Sequence, residues 1–173
     1  MIYFENEKIK IRSVIQEDIV YLFSWWIDKE VYRNDPKPMP CNSKEVLQEC
    51  KSYCETFECE IVNNSRYEYF MIVNREDYPI GFVNFFDVNK EKGDGELGVI
   101  IGDKRYWNKG IASLAVSKVK KILFNRPEIN RIHIETAEGN LAARKLFKKL
   151  GFNECSKYLD EGFKFIVMES RRL

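Results

Sequence analysis

The spacing of hydrophobic residues along this chain changes from one stretch to the next, and the changes mark out elements. Over residues 8–14 apolar and polar positions alternate, with Ile9 and Ile11 set against Lys8, Lys10 and Arg12, which predicts a strand. Over residues 16–28, Ile19, Leu22, Phe23 and Trp26 fall at helical spacing, with Ser13 and Gln16 in register for a capping box. Pro36, Pro38 and Pro40 make residues 34–41 a loop, because each removes a backbone donor and fixes its own φ. Residues 43–57 read as a polar helix, opened by Asn42 and Glu45 in capping-box register. The aromatic and β-branched stretches 67–74 and 80–88 form a hairpin about Asp77-Tyr78-Pro79. Gly93-Asp94-Gly95 marks a further tight turn, and residues 96–101 a short buried strand. Residues 108–124 are helical, with Ile111, Ala115, Val119 and Ile122 on the inner face. A strand at 131–136 precedes a helix at 141–150, which Gly151 closes as a left-handed cap. Residues 152–158 and 163–169 form a last hairpin. This order of strand, two helices, three strands, helix, strand, helix and two strands belongs to the α/β (α+β) class. With no repeat, linker or low-complexity stretch, residues 1–173 read as one domain.

Composition narrows the functions open to such a domain. A chain of 173 residues that is 45% hydrophobic and 14% aromatic can fill one core. Lys and Arg number 28 and Asp and Glu 27, for a net charge of +1, so no broad basic field is present to hold a nucleic acid. No apolar run is long enough to span a membrane, and the first six residues do not form a signal peptide. Cys41, Cys50, Cys54, Cys59 and Cys155 read as reduced thiols in a cytoplasm. They lack paired CxxC spacing, and His133 is the only histidine, so no metal site is expected.

Two segments carry candidate chemistry. Arg105-Tyr106-Trp107-Asn108-Lys109-Gly110-Ile111-Ala112 follows a strand and opens a helix. A helix N-terminus offers unpaired N–H groups and a positive dipole end, which suit a phosphate. Gly110 and Ala112 are small enough to let an anion approach, Asn108 tolerates a left-handed backbone, and Arg105 and Lys109 add charge. A plain loop capped by Asn108 explains the same eight residues equally well. The second segment runs from Glu138 to Phe152, where Asn140 is placed to cap a helix that Gly151-Phe152 ends.

Together the two segments resemble the GCN5-related N-acetyltransferase (GNAT) superfamily. Arg105 and Gly110 fit its pyrophosphate signature, with Asn108 where the first glycine is usual; Asn140, Ala142, Ala143, Gly151 and Phe152 fit its later helix. Ile11-Arg12, Glu17-Asp18, Leu22, Trp25, Glu96-Leu97-Gly98 and Tyr106-Trp107 are similar to the branch of ribosomal-protein N-terminal acetyltransferases. The resemblance spans nearly the whole chain and is most specific over residues 94–152. It implies a mixed, mainly antiparallel central sheet whose strands at 96–101 and 131–136 splay apart, flanked by about four helices. It implies acetyl-coenzyme A as acetyl donor, no metal, a primary amine as acceptor, and a monomer or homodimer. By the resemblance, Val99 and Ile100 offer backbone to the pantetheine arm, Arg105, Asn108 and the amides of Lys109, Gly110, Ile111 and Ala112 hold the pyrophosphate, and Asn140 reaches the pantetheine.

Acetyl transfer needs a neutral amine, so it calls for a base. Glu96, a carboxylate inside an otherwise apolar strand, is the first candidate, and Asp87 and Glu135 are weaker ones. Many family members place a tyrosine where Phe147 stands, to protonate the leaving thiolate; Ser113, Tyr106 and Tyr158 are the substitutes at hand. Trp25, Trp26, Asp28, Glu30, Tyr32 and Asp35 cluster near the first helix and suit a cationic acceptor. An aminoglycoside or polyamine acceptor, and a non-catalytic acyl-coenzyme A sensor, are the competing readings.

Overall fold

The computed structural model describes residues 1–63 and 67–172. Eight strands form one sheet in the order β1-β2-β3-β4-β5-β6-β8-β7. They are β1 (Ile2–Glu5), β2 (Lys10–Ser13), β3 (Glu68–Val73), β4 (Pro79–Asn89), β5 (Asp94–Ile101), β6 (Arg131–Ala137), β7 (Asn153–Asp160) and β8 (Phe163–Arg171). Every neighbouring pair is antiparallel except β5 and β6. Four α-helices flank the sheet: α1 (Ile19–Trp26), α2 (Ser43–Thr56), α3 (Ile111–Phe124) and α4 (Leu141–Lys149). This is the mixed, mainly antiparallel architecture expected from the sequence. None of the described helices is long and apolar enough to cross a membrane.

The sheet has a core on each face. On one side α3 buries Ile111, Ala115, Val116, Val119 and Leu123 against Phe85, Leu97, Ile132 and Ile134, with Phe147 and Phe152 completing the cluster. The expected inner residue Ile122 is only partly buried, while Val116 and Leu123 are fully so. On the other side Leu22 and Trp25 of α1 pack with Phe57 and Ile61 onto Met71, Val73 and Phe82. Alternation along β5 sends Leu97 to the first core and Ile100 toward the second, so the strand serves both faces.

Several local expectations change. β1 is an additional short strand pairing β2. The helix expected from residue 16 is one 3₁₀ turn (Gln16–Asp18) followed by α1. Its Ser13–Gln16 capping box does not form: Ser13 Oγ accepts from the N-terminal ammonium, and the Asp18 carboxylate takes the Ile15 N–H instead. Asn42 does cap α2, accepting from the N–H groups of Lys44 and Glu45. Beyond Thr56 the chain continues as a π-helix, Phe57–Asn63, which seats Phe57 and Ile61 in the second core. The expected turn at 93–95 closes at Gly93, which has φ +66. Gly95 already lies in β5, where a Cβ would stand 2.4 Å from the Phe85 ring. The helix expected from Asn108 begins at Ile111, after a 3₁₀ turn at Lys104–Tyr106.

Candidate active site

β5 and β6 run parallel for three rungs only: Asp94 with Arg131, Gly95 with Ile132, and Glu96 with His133. Past Glu96 each strand keeps its outer neighbour, β5 through Gly81–Ile101 and β6 through Ala137–Phe165, but not the other. The splayed gap is therefore real and has its vertex at Glu96. Gly102 N–H donates to the Ile80 carbonyl at 3.0 Å. Antiparallel alternation from that bond turns the backbone of Ile100 toward β4 and that of Val99 toward the gap. The Ile101 carbonyl fits this phase, since it accepts from the Trp107 indole at 2.7 Å rather than from β4. The gap opens into a cavity of about 880 Å³. Glu96, Val99, Ile100, Glu135, Asn140, Phe147 and Tyr158 all border it.

Glu96 is half-buried at the vertex, and its carboxyl is pushed up to about 8 by burial first, then by Glu135 and Asp87. Among the described residues no cation offsets this, so at neutral pH the carboxyl is mostly protonated, ready to ionise when a cation arrives. Glu96, His133 and Glu135 present ligand atoms within 4.8 Å of one another. Such a spacing suits an ammonium as well as a metal ion. Burial, then Arg131, lowers the pKa of His133 and holds it neutral. Tyr158 donates a short hydrogen bond to Glu135 and stacks on Phe165 with ring centroids 5.2 Å apart. Burial and that bond raise its pKa. Sequence reasoning missed His133 as a neighbour of Glu96, because only the parallel register brings the two together.

The 105–112 segment stands at the exit of β5, and only its Trp107 borders the cavity. Asn108 has φ +59, the left-handed backbone expected of it, and Gly110 caps α3 at φ +74. A Cβ on Gly110 would meet nothing within 4 Å, so the loop faces open space in front of the unpaired amides of Ile111 and Ala112. That cradle fits a pyrophosphate. Arg105 is less available than the sequence suggests: its guanidinium grips Asp103 through Nε and an NH2 group at 3.0 and 2.6 Å. Lys109 Nζ lies 5.5 Å from the Tyr106 ring centroid. Asn140 caps α4, its Oδ1 accepting from Ala143 N–H at 3.2 Å, while its side chain borders the cavity. Phe147 is 4% exposed and meets Phe152 edge-on at 5.2 Å, so its ring serves packing and cannot donate a proton. Of the three substitute donors, Tyr158 borders the cavity, whereas Tyr106 and Ser113 do not. In the first-helix cluster Trp25 is core, Trp26 and Tyr32 border the cavity, and Asp28 and Glu30 pair with Lys104 at 2.9 and 2.6 Å.

A mixed sheet split by two diverging parallel strands, with an open helix start beyond one of them, is the frame of an acyl-coenzyme A transferase. Residues 8–153 match the acetyltransferase (GNAT) domain, and the chain belongs to that family. It is an acetyl-coenzyme A-dependent acyltransferase. It is 26% identical over 149 residues to the uncharacterized N-acetyltransferase p20 of Bacillus licheniformis, covering 86% of this chain and 81% of that one. Its fold matches spermidine N-acetyltransferase from Vibrio cholerae, solved with CoA and spermine, at TM-score 0.78 and 17% identity over 96% of both chains. It also matches ribosomal-protein-S5-alanine acetyltransferase from Vibrio fischeri at TM-score 0.77 and 19% identity, over 97% of this chain and 95% of that one.

Proposed function

We propose that this chain acetylates a primary amine of a small polycationic acceptor by direct attack in a ternary complex, with Glu96 as base. The observation that carries the reading is the company Glu96 keeps. Two further carboxylates, Glu135 and Asp87, act on it and, among the described residues, no cation does, so the vertex is an acidic pocket in which an arriving ammonium favours ionised Glu96. A lysine-like amine has a pKa near ~10.4, and a carboxylate raised toward it takes the proton more readily than an ordinary one. Once neutral, the amine attacks the thioester carbonyl. The Val99 N–H, turned into the gap, is placed to meet the oxyanion. The thiolate, with a pKa near ~8.5, leaves with or without a proton from Tyr158.

The Gly110 cap and the amides that follow it hold the pyrophosphate, with Lys109 and the exposed Arg105 adding positive charge and Asn108 shaping the approach. Asn140 contacts the pantetheine arm, and Val99 and Ile100 line its path. The continuous sheet supports residues 1–173 as one domain, the free cysteines support a cytoplasmic setting, and the net charge of +1 argues against a nucleic-acid partner; the chain acts as a monomer or homodimer. A ribosomal-protein N-terminal amine is the acceptor suggested by the branch resemblance, but the acids around Glu96 favour a more highly charged molecule. Thiol release from acetyl-coenzyme A tests the choice against polyamines, aminoglycosides and N-terminal peptides. Polyamines are expected to show the highest kcat/KM. A preference for peptides would move the assignment to the N-terminal branch, and cofactor binding without release from any amine would make the chain a sensor.

A further inference from the structure

Away from Glu96, an aromatic box already contains a cation. Lys37 Nζ lies 3.4 Å from the Trp26 ring centroid and 4.8 Å from that of Tyr32, and donates to the Trp26 carbonyl at 2.7 Å. Trp26 and Tyr32 meet edge-on at 5.4 Å, and Tyr53 lies 5.7 Å from Trp26 on another side. The indole of Trp26 is itself fixed by Glu49, to which its Nε1 donates at 3.1 Å. The box is built for an ammonium, since ring faces and a carbonyl replace water around it. The lysine that fills it is held loosely in electrostatic terms. Among the described residues its ammonium forms no salt bridge, burial lowers its pKa, and Asp35 and Glu49 act on it only through space.

Lys37 stands between Pro36 and Pro38 in the loop that follows Tyr32, so it enters the box from outside any helix or strand. Trp26, Tyr32, Glu49 and Tyr53 border the same cavity as Glu96 and Glu135. We propose that the Trp26–Tyr32 box is a subsite for a second, alkylammonium group of the acceptor, and that Lys37 is a tethered stand-in which this group displaces. The box then selects acceptors with two separated positive charges, and the 34–41 loop moves off when one binds. The catalytic side of this inference rests on the polycationic-acceptor reading above, while the binding side does not.

The test uses tetramethylammonium, which has a charge the box can hold and no N–H to acetylate. The readout is the Trp26 indole N–H resonance, assigned with Trp26→Phe, and no cofactor is added. Lys37→Ala is expected to bind the probe at least tenfold more tightly than wild type. Lys37→Gln, which keeps a donor for the Trp26 carbonyl but removes the charge, should fall between, and Lys37→Arg should match wild type. Equal titrations in all four proteins would overturn the proposal. So would a Lys37→Ala protein that loses its fold together with a Lys37→Gln protein that takes up no probe, because Lys37 would then be only a staple for the loop. In turnover, Lys37→Ala should lower KM for a diamine such as cadaverine and leave KM for amylamine unchanged. If no amine is acetylated while the indole titration behaves as expected, the acceptor reading fails and the subsite stands.

Discussion

Asp18 and Glu96 are both carboxylates drawn out of water by the fold, and they end in opposite circumstances. Asp18, 2% exposed, receives both terminal nitrogens of Arg12 at 2.7 and 2.9 Å and the Ile15 N–H at 2.9 Å. It ties β2 to the start of α1, and its charge is fully used inside the protein. Glu96 stands at the mid-sheet vertex with two acids acting on it and, among the described residues, no cation. One corner has finished its electrostatics during folding; the other has left them open for something that arrives later. Burial alone does not separate a structural acid from a reactive one, but the partners do.

The contrast can be tested from both sides, and the largest effect belongs to the finished corner. Asp18→Ala leaves buried Arg12 with only the Ser13 carbonyl and the more distant Asp77 carboxylate, and should lower stability by about 3 kcal/mol, read from denaturant midpoints at constant m. An unchanged midpoint would mean that the pair contributes nothing. Glu96→Gln should leave the protein folded while reducing kcat about a hundredfold or more. In wild type the carboxyl must be ionised to accept a proton, so kcat/KM should climb with pH toward a plateau above about 8. In Glu96→Gln the step at 8 should vanish and the defect should shrink at high pH, where the amine deprotonates unaided. A defect of equal size at every pH would make Glu96 structural.

Glu96 also has a stability signature. Its folded pKa of about 8 exceeds the ordinary carboxylate value of 4.5, so the native state binds the extra proton between those pH values. The stability this provides is complete below about 4.5 and is lost as pH rises through 8. Glu96→Gln should therefore be more stable than wild type by about 1–2 kcal/mol at pH 8, once partial solvation is discounted, and equal to it in acid. Removing one neighbour gives a finer adjustment. Glu135→Gln should move the kcat/KM step down by about one pH unit, and a fixed step would show that burial and Asp87 raise Glu96 without Glu135. Least is expected of Phe147→Tyr, at a ring that borders the cavity: turnover unchanged or slightly raised, with no more than about 1 kcal/mol of stability lost.

The elements with strong periodicity were legible in the chain. Ile19, Leu22 and Trp26 announce α1, and Asn42 announces the start of α2, because period and caps are local properties. β1 was not legible, since four residues at a sheet edge contain too little pattern, and neither was the π-helical extension of α2. Glu96 stood out as a lone charge among apolar neighbours. His133 did not, because its nearness depends on the three-rung register between β5 and β6. The box around Lys37 was hidden for a similar reason: a proline-bracketed loop has no period to predict where its side chain lands.

The short parallel pairing of β5 and β6 has one more consequence. Because the strands close at Glu96 and open away from it, the pairing acts as a depth stop. A ligand that entered the gap would meet the first closed rung at Glu96, whatever shape the rest of it had. The walls farther out, built from α1, α2 and the loop between them, can then change without moving Glu96. The position of Glu96 is fixed by three rungs of hydrogen bonds, and the outer lining of the cavity is left to residues that never have to move with it.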